Sequence, residues 1–399
     1  VHKFCIDIID ATTDTTCYAA RTANTKAAKV DVDLAATAGT LASTTATTIA
    51  VTGPGLVGFD MAEDGTGDNL GRSLTYTGTD AAFDVLVYGD GTSGAATVSV
   101  TTEAGRFTKG AAKALLGKVL LFENKGALAA AQLADVNGAT PGSASSYGYK
   151  LVSNFSDLWV TNNKFNSESI LEVGHSSAGN SDWGWWGSGR DEGNTVNVMV
   201  GPRSYSTPAG SPAPGLPSGW SFNVFTQNFY DAIKGDPRFA STVFDLKALK
   251  TAGQADYIDG YQNTGYFLNK FLPRNADIRT GGGSQELNFK QDTYVIRLAD
   301  TYLMEAEALG GTGARAQALL DAVRARVGLA STPVSLAAIK AERRLELAGE
   351  GHRFFDLVRW NEAAAKLATR GFVAGRDEIF PIPYSELQGT LLVQNPKYN

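Results

Sequence analysis

Hydrophobic and polar residues alternate along the first quarter of the chain, up to about residue 103. The clearest runs cover residues 48–52, 82–88 and 96–101. Alternation with a period of two, interrupted by glycine and aspartate, is typical of short β-strands joined by turns. The pattern therefore predicts a β-rich module over residues 1–103.

The hydrophobic period changes after Gly105. Ala111, Leu115 and Val119 recur at helical spacing, and small residues at 127–136 would let a second helix approach closely. A second pair of helices is predicted on either side of Gly310-Gly311, followed by a helix that Ser335 caps. We therefore expect residues 104–399 to form a mainly α-helical domain.

Residues 174–283 have a different character. Glycine, serine, proline and aromatic residues dominate there, and helical periodicity is lost apart from a short segment near 225–233. This composition predicts a loop-rich insert within the helical domain.

The composition narrows the possible functions. The net charge of −6 opposes a nucleic-acid surface, which needs a concentrated basic face. Three histidines and two cysteines make a metal-centred enzyme improbable, and we predict no metal site and no cofactor. Cys5 and Cys17 could form one local disulfide in an exported protein.

Residues 342–360 combine charges of both signs with apolar positions. Glu342, Glu346 and Glu350 are spaced four residues apart and would share one helix face, with Arg343 and Arg353 close enough to neutralise them. A glycosidase instead needs two carboxylates that face each other across a cleft and have separated pKa values. The spacing favours a structural ion-pair network over a catalytic pair.

This run closely resembles the C-terminal signature of the SusD/RagB family. The resemblance also includes residues 294–308, the sequence FPIPYSE at 380–386 and QNPKY at 394–398, and it covers about residues 105–399. It implies a scaffold of tetratricopeptide-type helical hairpins that carries a loop-rich ligand region. It also implies a cell-surface lipoprotein family of the outer membrane that binds oligosaccharide or polysaccharide and delivers it to a SusC-like TonB-dependent transporter, without catalysis.

The first 103 residues depart from that family. Their sequence pattern is similar to that of Ig-like surface domains. Family members instead have helices there that complete the array of helical hairpins. The departure leaves a structural or assembly protein of the cell surface as the alternative function.

Three tryptophans stand close together in the loop-rich insert, in the sequence Asp182-Trp-Gly-Trp-Trp186. Flat rings can stack on the apolar faces of sugars, while neighbouring polar side chains bind the hydroxyls. Burial against the scaffold is the competing interpretation for these rings, and we predict that Trp220 lies in the core. The candidate ligand-binding residues are Trp183, Trp185, Trp186, Arg190, Asp191, Asn194, Tyr205 and Tyr261.

Overall fold

The computed structural model of the chain describes residues 107–179, 181–184 and 192–398, together with the backbone of five short strands before residue 99. Two compact units are present: residues 1–114 with 135–150, and residues 115–134 with 151–399. The division of the chain at residue 103 stays a prediction. Among the described residues, no helix combines the length and the apolar character needed to cross a bilayer.

Short antiparallel strands are present in the N-terminal region. β1 and β2 both pair with β4, and β3 pairs with β5. The bounds are β1 (Ile8–Ile9), β2 (Ala28–Asp33), β3 (Ile49–Gly53), β4 (Asp84–Gly89) and β5 (Gly94–Val98). The rest of the predicted β-rich module, including Cys5 and Cys17, lies outside the described residues, so the module stays a prediction.

The first predicted helical hairpin is confirmed. It consists of α1 (Lys109–Phe122) and α2 (Gly126–Asn137). The Oγ1 of Thr108 accepts a hydrogen bond from the amide of Ala111 at 3.1 Å and so satisfies a free N–H group at the start of α1. Within the second unit, Leu121 and Leu133 of this hairpin pack on Met304.

The C-terminal part of the chain is helical, as predicted. Its helices are α7 (Leu298–Ala308), α8 (Gly313–Arg326), α9 (Leu336–Glu346), α10 (Arg353–Arg359), α11 (Ala363–Leu367) and α12 (Tyr384–Leu387), with a 3₁₀ turn at Ala368–Arg370. Ser335 caps α9 as expected, because its hydroxyl accepts a hydrogen bond from the amide of Ala338. α7 and α8 form a second hairpin that is joined at Gly310-Gly311.

The middle of the chain contains short elements connected by loops. Its helices are α3 (Val196–Val200), α4 (Gln227–Ile233), α5 (Phe239–Thr242) and α6 (Leu246–Thr251). Its strands form antiparallel pairs: β6 (Ser169–Val173) with β11 (Thr293–Arg297), β7 (Arg203–Ser206) with β9 (Asp256–Ile258), and β8 (Val243–Asp245) with β10 (Tyr266–Leu268). Further 3₁₀ turns cover Phe155–Trp159, Asn269–Phe271, Asn275–Asp277 and Gln285–Leu287.

An aromatic core packs two of these 3₁₀ turns against β11. The indole of Trp159 is buried and makes edge contacts with Phe155, Phe271 and Tyr294, each at a centroid distance of 5.8 Å. The ammonium of the buried Lys270 lies 4.5 Å from the centroid of the Trp159 ring. Aromatic edge contacts and a cation over a ring face both favour one fixed packing of this region.

A buried ion-pair network surrounds Glu346. Its carboxylate accepts hydrogen bonds from Arg297 at 2.7 Å, from Arg238 at 2.9 Å and from Arg326. Burial by itself raises the pKa of Glu346, but the charges of these three arginines outweigh burial and hold the pKa well below its usual value. The predicted structural role of the acidic run is therefore confirmed.

The partners of this network differ from those the sequence suggests. Arg343 forms ion pairs with Asp300 at 2.7 Å and Asp356 at 2.9 Å, and so connects α9 to α7 and α10. The guanidinium of Arg353 lies 5.9 Å from the centroid of the Trp360 ring. The expectation that Arg343 and Arg353 neutralise the glutamates is wrong, because the glutamates form ion pairs with arginines that lie far away in the sequence.

Candidate functional site

Three aromatic side chains form an exposed surface, which we call the aromatic platform: Trp183, Trp220 and Phe222. The indole of Trp183 is 46% exposed and stacks on Trp220, with ring centroids 5.8 Å apart and an interplanar angle of 29°. Phe222 is 53% exposed, and its ring centroid lies 5.8 Å from that of Trp220. Apolar rings exposed together on a surface are characteristic of binding sites.

Backbone hydrogen bonds hold the Trp220 side of the platform against the end of α3. The amide of Trp220 donates to the carbonyl of Val198, and the amide of Phe222 donates to the carbonyl of Met199, both at 2.8 Å. A Cβ atom at Gly219 would lie 2.5 Å from the Cα of Gly201, so only glycine allows this close approach. The two rings thus project from a backbone that α3 fixes in place.

The Trp183 side of the platform is attached to a different segment. The carboxylate of Asp182 accepts hydrogen bonds from the amide of Trp183 at 2.8 Å and from the hydroxyl of Ser284 at 2.5 Å. Both hydrogen bonds lower the pKa of the exposed Asp182 carboxyl, and the bond from Ser284 has the larger effect. The amide of Asn288 also donates to the carbonyl of Ser181 at 2.9 Å. The indole is therefore positioned by residues about a hundred positions away in the sequence.

Two buried acidic residues, Glu172 of β6 and Asp292, lie close together at the start of the segment that leads from β6 to Trp183. The carboxylate of Asp292 accepts hydrogen bonds from the ammonium of Lys164 at 2.5 Å and from the amide of His175 at 2.7 Å. Burial first, and then the charge of Asp292, raises the pKa of Glu172 to about 7. The amide of Phe165 donates to Glu172 at 3.0 Å. These contacts anchor the loop base.

No group of three or more histidine, cysteine, aspartate or glutamate side chains that could hold a metal ion occurs in the part of the chain that the structure describes. Glu342 and Glu346 of α9 form ion pairs with arginines, and Glu350, which lies beyond the end of the helix, pairs with Arg297 and Lys270. What this surface offers a ligand is ring stacking and hydrogen bonding.

Residues 225–378 match the family model of the SusD family. A solved laminarin-binding SusD-like protein is 66% identical to this chain and superimposes on it with a TM-score of 0.72. The chain matches the SusD/RagB family over these residues and in its fold. The match covers 74% of this chain and 63% of the laminarin-binding protein.

Two further proteins are similar to this chain. Surface glycan-binding protein A from Bacteroides thetaiotaomicron, solved in complex with laminarihexaose, is 25% identical, with a TM-score of 0.64 over 74% of this chain and 66% of that protein. A curated SusD-like protein of Bacteroides ovatus is 25% identical over 280 residues, which is 66% of this chain and 48% of the relative. The chain spans about half the length of the curated relatives that it matches.

The site residues predicted from the sequence have different environments. Tyr261 is 88% exposed. The neighbouring Gly260 packs against Ser221, which stands between Trp220 and Phe222 in the sequence. Tyr205 is partly buried on β7, donates its hydroxyl to the carbonyl of Pro214 at 2.6 Å and packs on a phenylalanine. Tyr261 is therefore the tyrosine of the two that is available to a ligand beside the platform.

Asn194 has a structural position. Its side chain is 2% exposed, and its amide donates to the carbonyl of Gln291 at 2.8 Å and to the hydroxyl of Thr293 at 3.1 Å. Its carbonyl oxygen accepts from the amide of Val196. The two amide bonds tie the end of the loop to β11 and to the residues just before it, so the polar atoms of this buried side chain are used within the protein.

Trp185, Trp186, Arg190 and Asp191 lie outside the described residues and stay predictions. Trp220 was expected in the core, but it is partly exposed and central to the platform. Phe222 was not among the candidates. The signal that could have identified both rings is their close spacing in Trp220-Ser-Phe222 within the loop-rich insert, where neighbouring aromatic residues indicate an exposed surface.

Proposed function

We propose that this chain binds a neutral oligosaccharide on the aromatic platform and delivers it to a TonB-dependent transporter at the outer-membrane surface. The observation that carries the proposal is the stacked pair of Trp183 and Trp220, which leaves the first indole half-exposed. Such a surface suits the apolar C–H face of a pyranose ring. Binding without catalysis is the role we assign to the protein.

Polar groups next to the platform could recognise the sugar hydroxyls. The exposed carboxylate of Asp182 accepts hydrogen bonds, and the hydroxyl of the exposed Tyr261 can donate or accept. Asp182 adjoins Trp183, and Tyr261 follows Gly260, which packs against Ser221, so both polar groups would lie near a stacked sugar. We assign these two residues to the binding site with the three rings.

The ligand that we propose first is a laminarin-type glucan. Laminarin is named as the ligand of the relative that is 66% identical, and laminarihexaose is bound to the glycan-binding protein of B. thetaiotaomicron. Both ligands are uncharged, which agrees with a platform built from rings. Titration calorimetry with laminarihexaose is the direct test.

Replacement of Trp220 or Trp183 by alanine should weaken laminarihexaose binding by roughly 1–3 kcal/mol, because each removes one stacking face. The same substitution at Trp185 and Trp186 tests the rest of the predicted cluster. Tyr384→Ala is the matched control, since this ring is 75% exposed on α12 and should leave affinity unchanged. Binding should depend little on salt.

A structural or assembly role is the second candidate. It is favoured by exposed apolar side chains in the C-terminal segment, where Leu391 is fully exposed and Val393 is 80% exposed. If neither neutral nor acidic glycans bind, or if the tryptophan variants bind as well as the parent, the assembly role replaces glycan binding.

A further inference from the structure

A polar cleft of about 550 Å³ lies beside the loop that carries Tyr261. Its lining includes Lys247 and Lys250 of α6, Gln227 of α4 and Asn263 of the loop. The volume falls within the range of small-molecule sites, so one sugar residue would fit.

The polar groups of this cleft are held in place by buried tyrosines. The hydroxyl of Tyr257 is hydrogen-bonded to the side chain of Asn263, with a 3.0 Å bond from the asparagine amide. The hydroxyl of Tyr266 donates to the side-chain carbonyl of Gln227 at 3.1 Å. Groups that are oriented before a ligand arrives bind it at a lower entropic cost.

The two lysines of the cleft differ in their charge balance. The ammonium of Lys250 lies 2.8 Å from Asp256 and 3.9 Å from Asp259, so its charge is compensated. The ammonium of Lys247 lies 5.7 Å from the centroid of the Tyr266 ring, and no ion pair of Lys247 occurs among the described residues. The cleft therefore holds one exposed positive charge without a carboxylate partner.

The cleft offers a sugar hydrogen bonds and charge. Tyr257, the aromatic ring in its lining, is buried, with the ammonium of Lys250 at 4.7 Å from its centroid. A neutral sugar would find no stacking face on this ring, whereas an anionic substituent would gain an ion pair with Lys247. The chemistry thus differs from that of the aromatic platform.

We propose that this cleft is a second subsite, which binds a sugar carrying a carboxylate or sulfate group through Lys247. Asn263 and Gln227 would bind the hydroxyls of the same sugar. Asp259, Asn263 and Thr264 of this loop line the cleft, and Gly260 of the same loop packs against Ser221 of the platform segment. One glycan chain can therefore reach both sites, so the inference extends the proposed function to acidic or sulfated glycans.

Three monosaccharides that differ only at C6 test the subsite: glucose, glucuronate and glucose 6-sulfate. Ligand-observed NMR titrations of the full chain should show glucuronate or the sulfate binding about three- to fivefold tighter than glucose at low salt, the gain typical of one partly exposed ion pair. The preference should vanish at about 1 M ionic strength, where the screening length is about 3 Å. Preference for the carboxylate alone or the sulfate alone identifies which group the cleft accepts.

Lys247→Gln should remove the preference for the anion, while Lys234→Gln should retain it. Lys234 is an exposed lysine near the end of α4, so its substitution gives the same change in net charge outside the cleft. Equal affinity for all three sugars, or a preference that survives Lys247→Gln, overturns the proposal, as does equal loss in both variants.

Trp220→Ala separates this inference from the proposed function. Glucuronate binding should persist in that variant when laminarihexaose binding is weakened. If the parent binds glucuronate but no neutral glycan, the second subsite stands and the laminarin proposal fails.

Discussion

Glu346→Gln tests whether the buried network stabilises the fold. The parent carboxylate is fully buried and accepts hydrogen bonds from Arg238, Arg297 and Arg326. Glutamine keeps the volume of the side chain but removes its charge. Its NH2 group, a hydrogen-bond donor, would face the N–H donors of the arginines. Breaking a buried ion pair usually costs about 3–5 kcal/mol, because a partner charge is left uncompensated.

We expect the lower end of that range, because each arginine keeps another carboxylate. Arg297 retains Glu350 at 2.7 Å and Glu168 at 2.8 Å, and Arg238 retains Asp236 at 2.7 Å. A loss of about 3 kcal/mol corresponds to a decrease in melting temperature of about 6–9 °C, at roughly 2–3 °C per kcal/mol for a large domain.

Differential scanning fluorimetry and urea titration measure this loss. Glu362→Gln is the control, because Glu362 forms a half-exposed pair with Lys340 at 2.7 Å, which should contribute less than about 1 kcal/mol. Laminarihexaose binding by the folded Glu346→Gln protein should be unchanged. A melting temperature equal to that of the parent, together with lost glycan binding, would refute the structural assignment.

Two further predictions concern pH and backbone strain. The pKa of the Glu172 carboxyl is 4.5 in the unfolded chain and about 7 in the folded one, so the native state binds more protons between these values. This group therefore makes the free energy of unfolding fall as pH rises from about 4.5 to about 7. Glu172→Gln should remove up to about 3 kcal/mol of that decrease in urea titrations at pH 5 and pH 8, and parallel pH profiles would contradict this. Gly349→Ala should destabilise by about 2 kcal/mol or more, because φ is +79° and the new Cβ would lie 2.2 Å from a methyl group of Leu268. Gly371→Ala, with φ of +87° and open space around it, should cost only the backbone strain of about 1 kcal/mol, and equal melting temperatures would exclude the clash.

Local signals in the sequence determined the helical scaffold. The change of hydrophobic period after Gly105, the glycine pair at 310–311 and the cap at Ser335 all predict elements that are present. Periodicity and capping act over about four residues, so they can be recognised without knowledge of the rest of the chain. The excess of charge at 342–350 likewise predicts a structural ion-pair network, although not its partners.

Only the tertiary structure decided which residues share a surface. Glu346 meets Arg238 and Arg297, and Trp183 stacks on Trp220, across sequence separations that no local pattern encodes. Asn194 shows the reverse case, since its position in a polar loop suggested ligand contact although it is buried against β11. The physical reason is that stacking and ion pairing are short-range interactions, so their partners are chosen only when packing of the core brings distant segments together.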